Sequence, residues 1–244
     1  MRTQIVAAFI SLALVVIAGR RAEAVGVVPV VLELRSGGEG RTAQIVVNND
    51  SAANSPVELS IERVEIEEDG VQHRIPANAD FAMVPEMRLI PPHSKQVFKI
   101  QWANAPLAKS QSYSLMVLQP NVKLPDRQGG VQVDFQFEVL VFVAPPSGTR
   151  ALDIQASSLT AVGGKRYASV LVGNSGNIHA FLSDATITLR SGSWSRTVLP
   201  NELQRLIGVG TVQPGKKRRF TIPIELPAEA SGLTTDISYG GAPH

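Results

Sequence analysis

The sequence predicts an all-β chain made of two antiparallel β-sandwiches joined by a short hinge. Apolar residues recur in short alternating or continuous runs, with almost no sustained helical period. Turn-forming residues separate these runs at the spacing that is typical of strands in a sandwich. A double proline followed by Ser-Gly, at residues 145–148, divides the runs into two sets.

Residues 1–24 have the pattern of a secretory signal peptide. Arg2 supplies the positive charge, residues 5–18 are almost entirely apolar, and Ala22-Glu23-Ala24 matches a cleavage site. We therefore expect a mature chain that begins at Val25 and is located in the periplasm. An uncleaved anchor is the alternative, although about 14 apolar residues are few for a membrane span.

The charge balance of the chain does not favour nucleic acid as a partner. The predicted signal peptide holds three of the 23 basic and one of the 21 acidic residues, so 20 of each remain after its removal. Cysteine is absent from the sequence, so an exported chain must be stabilised by its hydrophobic cores. Since no other segment is long and apolar enough to span a bilayer, we expect no stable membrane insertion after signal removal.

The first set of runs defines a domain predicted to cover residues 25–146. A hairpin is predicted around Asp69-Gly70, because glycine adopts the positive φ that a tight turn requires. The predicted strands are residues 27–34, 43–47, 57–66, 97–102, 113–118 and 131–143.

The second set defines a domain predicted to cover residues 147–244. Its predicted strands are residues 152–156, 167–172, 185–189, 196–199, 220–226 and 234–239.

The sequence does not predict an enzyme, a cofactor or a metal site. The four histidines lie far apart, in or near predicted turns, and no pair has the spacing of metal ligands. No Gly-x-Ser-x-Gly motif marks a nucleophile. An enzyme or a carbohydrate-binding module on the same fold would need polar or aromatic residues clustered in one set of loops, and only Trp102 and Trp194 are available as tryptophans.

Two clusters of charged residues are interpreted as solvent-exposed surface and not as binding sites. The acidic run from Glu62 to Asp69 predicts a solvated strand edge whose like charges deter pairing with other strands. The basic cluster Lys216-Lys217-Arg218-Arg219 follows a turn and predicts a solvated strand entrance. Contact of the four cations with anionic lipid is the alternative.

Residues 130–139 carry the main functional signal. Large apolar and polar residues alternate there without interruption, which predicts a strand with one apolar and one polar face. A continuous apolar run then leads to Pro145, which indicates a strand that is half exposed at first and buried afterwards. An ordinary half-buried sandwich strand has the same pattern.

Several segments together resemble the periplasmic pilus (fimbrial) chaperones of the chaperone–usher pathway. The alternating strand occupies the place of the family's donor strand, and the resemblance covers nearly the whole mature chain. The segments that carry it are Gln44–Asn49, Phe81–Ile100, Ser112–Leu115, Val172–Asn177 and Val212–Lys216.

The resemblance implies two immunoglobulin-like domains and a non-catalytic function. Chaperones of this family lend a strand to pilus subunits whose own sandwich lacks one, and deliver them to an outer-membrane usher. Pilus subunits and the usher are therefore the implied partners. The implied subunit-binding residues are Val131, Val133, Phe135 and Phe137.

The chain departs from the family where a cleft normally holds a lysine and an arginine that grip the subunit's terminal carboxylate. Leu140 stands at the lysine position, and Val30, Val31 and Leu32 occupy the arginine region. Arg35 or Lys99 could substitute. The first rival to the chaperone is a binding or scaffold protein of the same fold without strand donation.

Overall fold

A computed structural model describes residues 25–120 and 135–240. The predicted signal peptide, Val131 and Val133 lie outside the described residues. The chain is mostly β, as the sequence predicts, and forms two β-sandwiches.

The first sandwich contains ten strands in the described residues. They are β1 (Val25–Val28), β2 (Val31–Arg35), β3 (Thr42–Asn49), β4 (Ser55–Ile66), β5 (Gln72–Pro76), β6 (Phe81–Val84), β7 (Met87–Ile90), β8 (Ser94–Trp102), β9 (Gln111–Leu118) and β10 (Gln136–Ala144).

The second sandwich contains eight strands and a helix in the described residues. They are β11 (Leu152–Val162), β12 (Lys165–Asn174), β13 (Ala180–Phe181), β14 (Ala185–Ser191), β15 (Trp194–Val198), α1 (Pro200–Ile207), β16 (Thr211–Val212), β17 (Lys217–Glu225) and β18 (Thr234–Tyr239).

Two sheets enclose the core of the first sandwich. One has the order β1-β3-β8-β6, and the other has the order β2-β10-β9-β4-β5, with β7 also paired to β4. The predicted strand over residues 27–34 is in fact two strands in different sheets, because Pro29 lies between them and proline has no N–H for a ladder. The pairing is antiparallel except that β2 runs parallel to β10.

The first core is built from the alternate, inward-facing residues of both sheets. Phe81, Trp102 and Tyr113 meet edge to face, with Phe81 5.3 Å from Trp102 and 4.9 Å from Tyr113 between ring centroids. The Tyr113 hydroxyl lies 3.1 Å from an Asp80 carboxylate oxygen. Burial, and then the charge of Asp80, raise the pKa of Tyr113 above its ordinary range, so this hydroxyl stays protonated and donates.

The second sandwich contains the three-stranded sheets β11-β12-β17 and β15-β14-β18 and the separate short pair β13-β16. Helix α1 begins at Pro200, a residue suited to a first helical turn, and is followed by Gly208 at a φ of 68°. The sequence interpretation missed this helix, since it has only two turns and one buried residue, Leu203.

An asparagine at the end of a strand makes similar hydrogen bonds in each sandwich. The side-chain amide of the buried Asn49, the last residue of β3, donates to the carbonyls of Ala53, Ile90 and Pro91. The Asn174 amide, at the end of β12, donates to Ile178 and Val212. Each asparagine thus donates to the backbone carbonyls of a strand and of a neighbouring loop.

The chain passes between the sandwiches near the double proline. The first core extends to Val143, and Leu152 is the next residue along the chain that packs on the second core. Ser36 N–H donates to the Ala144 carbonyl at 2.7 Å, which fixes the end of β10. The boundary at residue 146 remains a prediction.

Candidate functional site

Strand β10 lies between β9 and β2, and its two faces have different surroundings. Val139, Val141 and Val143 point into the first core and are fully buried. Leu140 and Phe142 point out of that core, toward the second sandwich. The Phe142 ring stacks on His179 at 4.5 Å and meets Phe181 at 4.9 Å.

The first part of β10 has an open edge. Strand β2 begins at Val31, opposite Leu140, so among the described residues no strand lies beside Gln136–Val139 on that edge. The Leu140 N–H donates to the Val30 carbonyl at 2.9 Å. Since backbone groups of successive residues alternate between the two edges, Gln136 and Glu138 direct theirs to the same edge as Leu140.

Two of the predicted subunit-binding residues can be placed beside this edge. Phe135 and Phe137 are partly buried, pack against the first core and lie 5.4 Å apart between ring centroids. They share the inward-facing side with Val139, so they extend the apolar row of the core beyond its fully buried part. Val131 and Val133 lie outside the described residues, and their contribution stays a prediction.

The residues that the sequence comparison relates to the family's carboxylate-binding cleft lie in both sheets of the first sandwich. Val31 is the register partner of Leu140, and Leu32 points into the first core with 5% of its surface exposed. Arg35 Nη1 donates to the Pro146 carbonyl at 3.0 Å, which places it beside the double proline. Lys99 is on β8, in the sheet that does not contain β10. Leu140 and its register partner Val31, which belongs to the region Val30–Leu32 where the resemblance implies an arginine, are both apolar.

A cavity of about 190 Å³ lies between the two sandwiches. Leu140 and Phe142 of β10 form part of one wall, together with Ser112 of β9. Ile207 of α1, Val209 just after it and Arg218 of β17 form part of the other. The outward face of β10 is thus covered by the second sandwich.

The acidic run and the basic cluster pair with each other across this junction. The Lys216 Nζ lies 2.7 Å from a Glu65 carboxylate oxygen, and an Arg219 Nη2 lies 2.6 Å from one of Glu68. The Arg219 N–H also donates to the Glu68 carbonyl. The four side chains are about 40–51% exposed, as the sequence interpretation of solvated clusters expects, but that interpretation missed their pairing, because the fold brings together charges about 150 positions apart in sequence.

Gln213 adds a buried contact between the same elements. Its amide donates to the Val64 carbonyl at 2.8 Å and accepts from the Ile66 N–H at 2.9 Å. A side chain of the second sandwich thereby pairs with backbone groups at the end of β4, as a neighbouring strand would. The sequence interpretation missed this residue, since a single glutamine in a turn gives no signal of its distant partners.

His179 lies fully buried at the junction. Its Nδ1 is 3.0 Å from Ser110 Oγ and its Nε2 is 3.3 Å from a Glu33 carboxylate oxygen, which also pairs with Arg150 at 2.5 Å. Burial lowers the pKa of His179, and the Glu33 carboxylate acts in the opposite direction. These four groups come from both sandwiches and connect them.

Neither a metal-binding cluster nor a membrane-spanning helix occurs in residues 25–120 and 135–240. No three or more His, Cys, Asp or Glu residues of this part are placed to hold an ion. No helix of this part is long and apolar enough to cross a bilayer.

Comparisons with known proteins identify the fold. No protein-family model matches the chain, and no curated protein sequence matches it. Among solved structures, the class 5 fimbriae chaperone CfaA covers 88% of this chain and 98% of its own at 12% identity, with a TM-score of 0.56. The E. coli chaperone DraB covers 88% of this chain and 96% of its own at 13% identity, with a TM-score of 0.50.

A third similar structure is the Salmonella enterica SafA pilin in complex with the SafB chaperone. It covers 90% of this chain and 98% of the matched chain at 11% identity, with a TM-score of 0.50. The chain thus has the two-domain β-sandwich fold of fimbrial chaperones, which confirms the resemblance predicted from the sequence at the level of the fold.

Proposed function

We propose that this protein is a periplasmic chaperone that binds pilus subunits by donating a β-strand and passes them to an outer-membrane usher. The donated strand is β10 together with the residues before it. One observation carries the proposal: the open edge beside Gln136–Val139 lies next to Phe135 and Phe137, two partly buried aromatic side chains.

Open strand edges and apolar side chains provide the two contributions that strand addition needs. The edge-directed N–H and C=O groups of Gln136 and Glu138 can pair with the backbone of an incomplete sandwich. Phe135 and Phe137 can contact the core of that sandwich from the same strand. Burying each such side chain fully is worth about 1.5–3 kcal/mol, before the cost of association is subtracted.

Delivery to the usher rests on the resemblance to fimbrial chaperones. The periplasmic location rests on the predicted signal peptide, residues 1–24, and on the same resemblance. Both are parts of the proposal that can be tested separately from strand donation.

The packing of Phe135 and Phe137 on the first core supports a second candidate, a binding or scaffold protein whose alternating strand is only structural. Aspartate substitution separates the two candidates. In a strand donor, Phe135→Asp abolishes co-purification with a co-expressed pilin-like subunit, because a carboxylate would enter an apolar groove. Its melting temperature should change little, since the side chain is only partly buried.

Gln136→Asp is the matched control, because its exposed side chain points to the opposite face. It should retain the subunit. Loss of stability in Phe135→Asp as large as the loss of capture would assign the apolar row to the chaperone's own core and remove the support for strand donation.

A further inference from the structure

Two separate polar contacts join the sandwiches, one near each edge of the sheet β2-β10-β9-β4-β5. At one edge, Glu33 of β2 pairs with Arg150 and lies 3.3 Å from His179. Near the opposite edge, Glu65 of β4 pairs with Lys216. Since neighbouring strands lie about 4.8 Å apart, the three intervals from β2 to β4 separate the two contacts by about 14 Å.

The two contacts contain different kinds of titratable group. Histidine is the side chain whose charge ordinarily changes between about pH 5 and 8, whereas glutamate and lysine ordinarily keep their charges in this range. The contact at β2 includes His179, and the contact at β4 joins Glu65 to Lys216 without a histidine. Acidification therefore acts first on the contact at β2.

The ring of His179 is enclosed by side chains of both sandwiches. It is fully buried, stacks on Phe142 of β10 at 4.5 Å, and lies 5.1 Å from Phe181 of β13. Its Nδ1 is 3.0 Å from Ser110 Oγ, while its Nε2 makes no hydrogen bond. A charged ring in this position has lost its hydration, which disfavours the protonated form.

One carboxylate faces both basic side chains at this contact. Arg150 Nη2 lies 2.5 Å from Glu33, and Arg150 Nε donates to the backbone carbonyl of His179. Burial lowers the pKa of His179, Arg150 acts in the same direction, and Glu33 opposes them. A protonated His179 is thus a second cation beside a carboxylate that already pairs with an arginine.

Other titratable groups of the surrounding elements are engaged elsewhere. Tyr239 of β18 lies in the field of Asp184, and burial raises the pKa of Tyr239, so its phenol is uncharged at neutral pH. Arg35 of β2 donates to the Pro146 carbonyl at 3.0 Å. Lys109, next to Ser110 in the sequence, directs its Nζ toward Gly215. Glu33 and Arg150 are therefore the charged groups that act on the ring.

We propose that His179 makes the junction a pH-sensitive hinge, in which protonation of the ring opens the contact at β2 while the contact at β4 keeps the sandwiches attached. Opening brings the ring into water, where it binds a proton more readily, so a falling pH favours the open form. It also uncovers Phe142, on the face of β10 that the second sandwich covers. The proposal does not depend on strand donation.

Double electron–electron resonance between two spin labels measures the opening. The chain has no cysteine, so Gln101→Cys on β8 and Ser195→Cys on β15, both at exposed positions, place one label in each sandwich of the mature chain. We expect one interlabel distance at about pH 7.5 and a second population that grows reversibly toward about pH 5.5. The ratio of open to closed molecules should rise by at most about tenfold per pH unit, the limit for one proton.

Circular dichroism of the same samples separates opening from unfolding. A hinge retains the β-sheet signal while the second distance appears. Identical distances at both pH values, or a second population that appears only with loss of the β-sheet signal, would overturn the hinge.

Substitution of His179 assigns the response to its ring. His179→Asn should give the same distances at both pH values, because asparagine does not titrate. His73→Gln, which alters a largely exposed histidine, is the control and should respond as the unaltered labelled chain does. A pH response that persists in His179→Asn would assign the opening to another group and overturn the proposal.

NMR titration of the His179 imidazole tests the balance of charges. In the labelled-site background without spin labels, His179 should titrate at lower pH than His73, and over the pH range in which the distance changes. Arg150→Gln should move the titration of His179 toward higher pH, since Glu33 then faces a single cation. A titration of His179 that is unaffected by Arg150→Gln, or that lies outside the range of the distance change, would contradict the proposed hinge.

Discussion

Glu65 and Lys216 lie in different sandwiches and form an ion pair with 2.7 Å between carboxylate oxygen and ammonium nitrogen. Each side chain is about 40% exposed, so solvent screens the attraction. The pair lies beside the Gln213 contact and so helps to define how β4 meets the second sandwich.

We predict that this ion pair contributes little to global stability. A double-mutant cycle with Glu65→Gln and Lys216→Gln, followed by urea unfolding, should give a coupling energy of about 0.2–1 kcal/mol that decreases with added salt. The exposed Lys217 serves as a control and should show no coupling to Glu65. A salt-independent coupling well above this range would mean that the pair is shielded from solvent.

Gln213→Ala should destabilise the protein more than loss of the ion pair does. Removing the amide leaves the Ile66 N–H and the Val64 carbonyl without their partner, and each buried unpaired group costs about 1–3 kcal/mol. Urea unfolding measures the loss. Gln101→Ala, at an exposed position of β8, is the matched control and should change stability by less than about 0.5 kcal/mol. Similar stability of the two variants would show that the Gln213 contact is dispensable.

His179 should make stability depend on pH. Burial lowers its pKa in the folded state below the value of 6.5 typical of an unfolded chain, so the unfolded state binds more protons as the pH falls below 6.5. Stability should therefore decrease as the pH falls from about 7 toward the lowered pKa.

Unfolding free energies measured by urea at a series of pH values test this. A His179→Asn variant should lose less stability over that range, whereas His73→Gln, which alters a largely exposed histidine, should behave as the unaltered chain does. Identical pH slopes for the His179→Asn variant and the unaltered chain would contradict a buried neutral imidazole.

Local patterns were sufficient to predict most strands, because a strand needs only its own alternation and its flanking turns. The hairpin at Asp69-Gly70 forms as predicted, with Gly70 at a φ of 91°. The division of residues 27–34 into β1 and β2 was missed, since both halves are apolar and only Pro29 marks the change of sheet. Helix α1 was missed because eight residues show too little of a helical period.

The candidate site, like the fold, could be predicted from the sequence only in part. The alternating strand was visible in the sequence, and so was the absence of cations at Val31 and Leu140. The contacts of Gln213, Glu65 and His179 with the other sandwich were not, because they join positions about 70 to 150 residues apart. Such pairs depend on how the two sandwiches meet, which no local pattern encodes.

Amide hydrogen exchange tests strand donation most directly, because it reports on the backbone groups that would pair. The N–H groups of Gln136 and Glu138 face the open edge of β10, while the Leu140 N–H already donates to the Val30 carbonyl. Exchange is compared residue by residue for the free protein and for its complex with a pilin-like subunit. Strand donation predicts that Gln136 and Glu138 exchange at least about tenfold more slowly in the complex, as a gained hydrogen bond of about 1.4 kcal/mol requires, with Leu140 little changed. Unchanged exchange at Gln136 and Glu138 in a complex that is otherwise formed would contradict it.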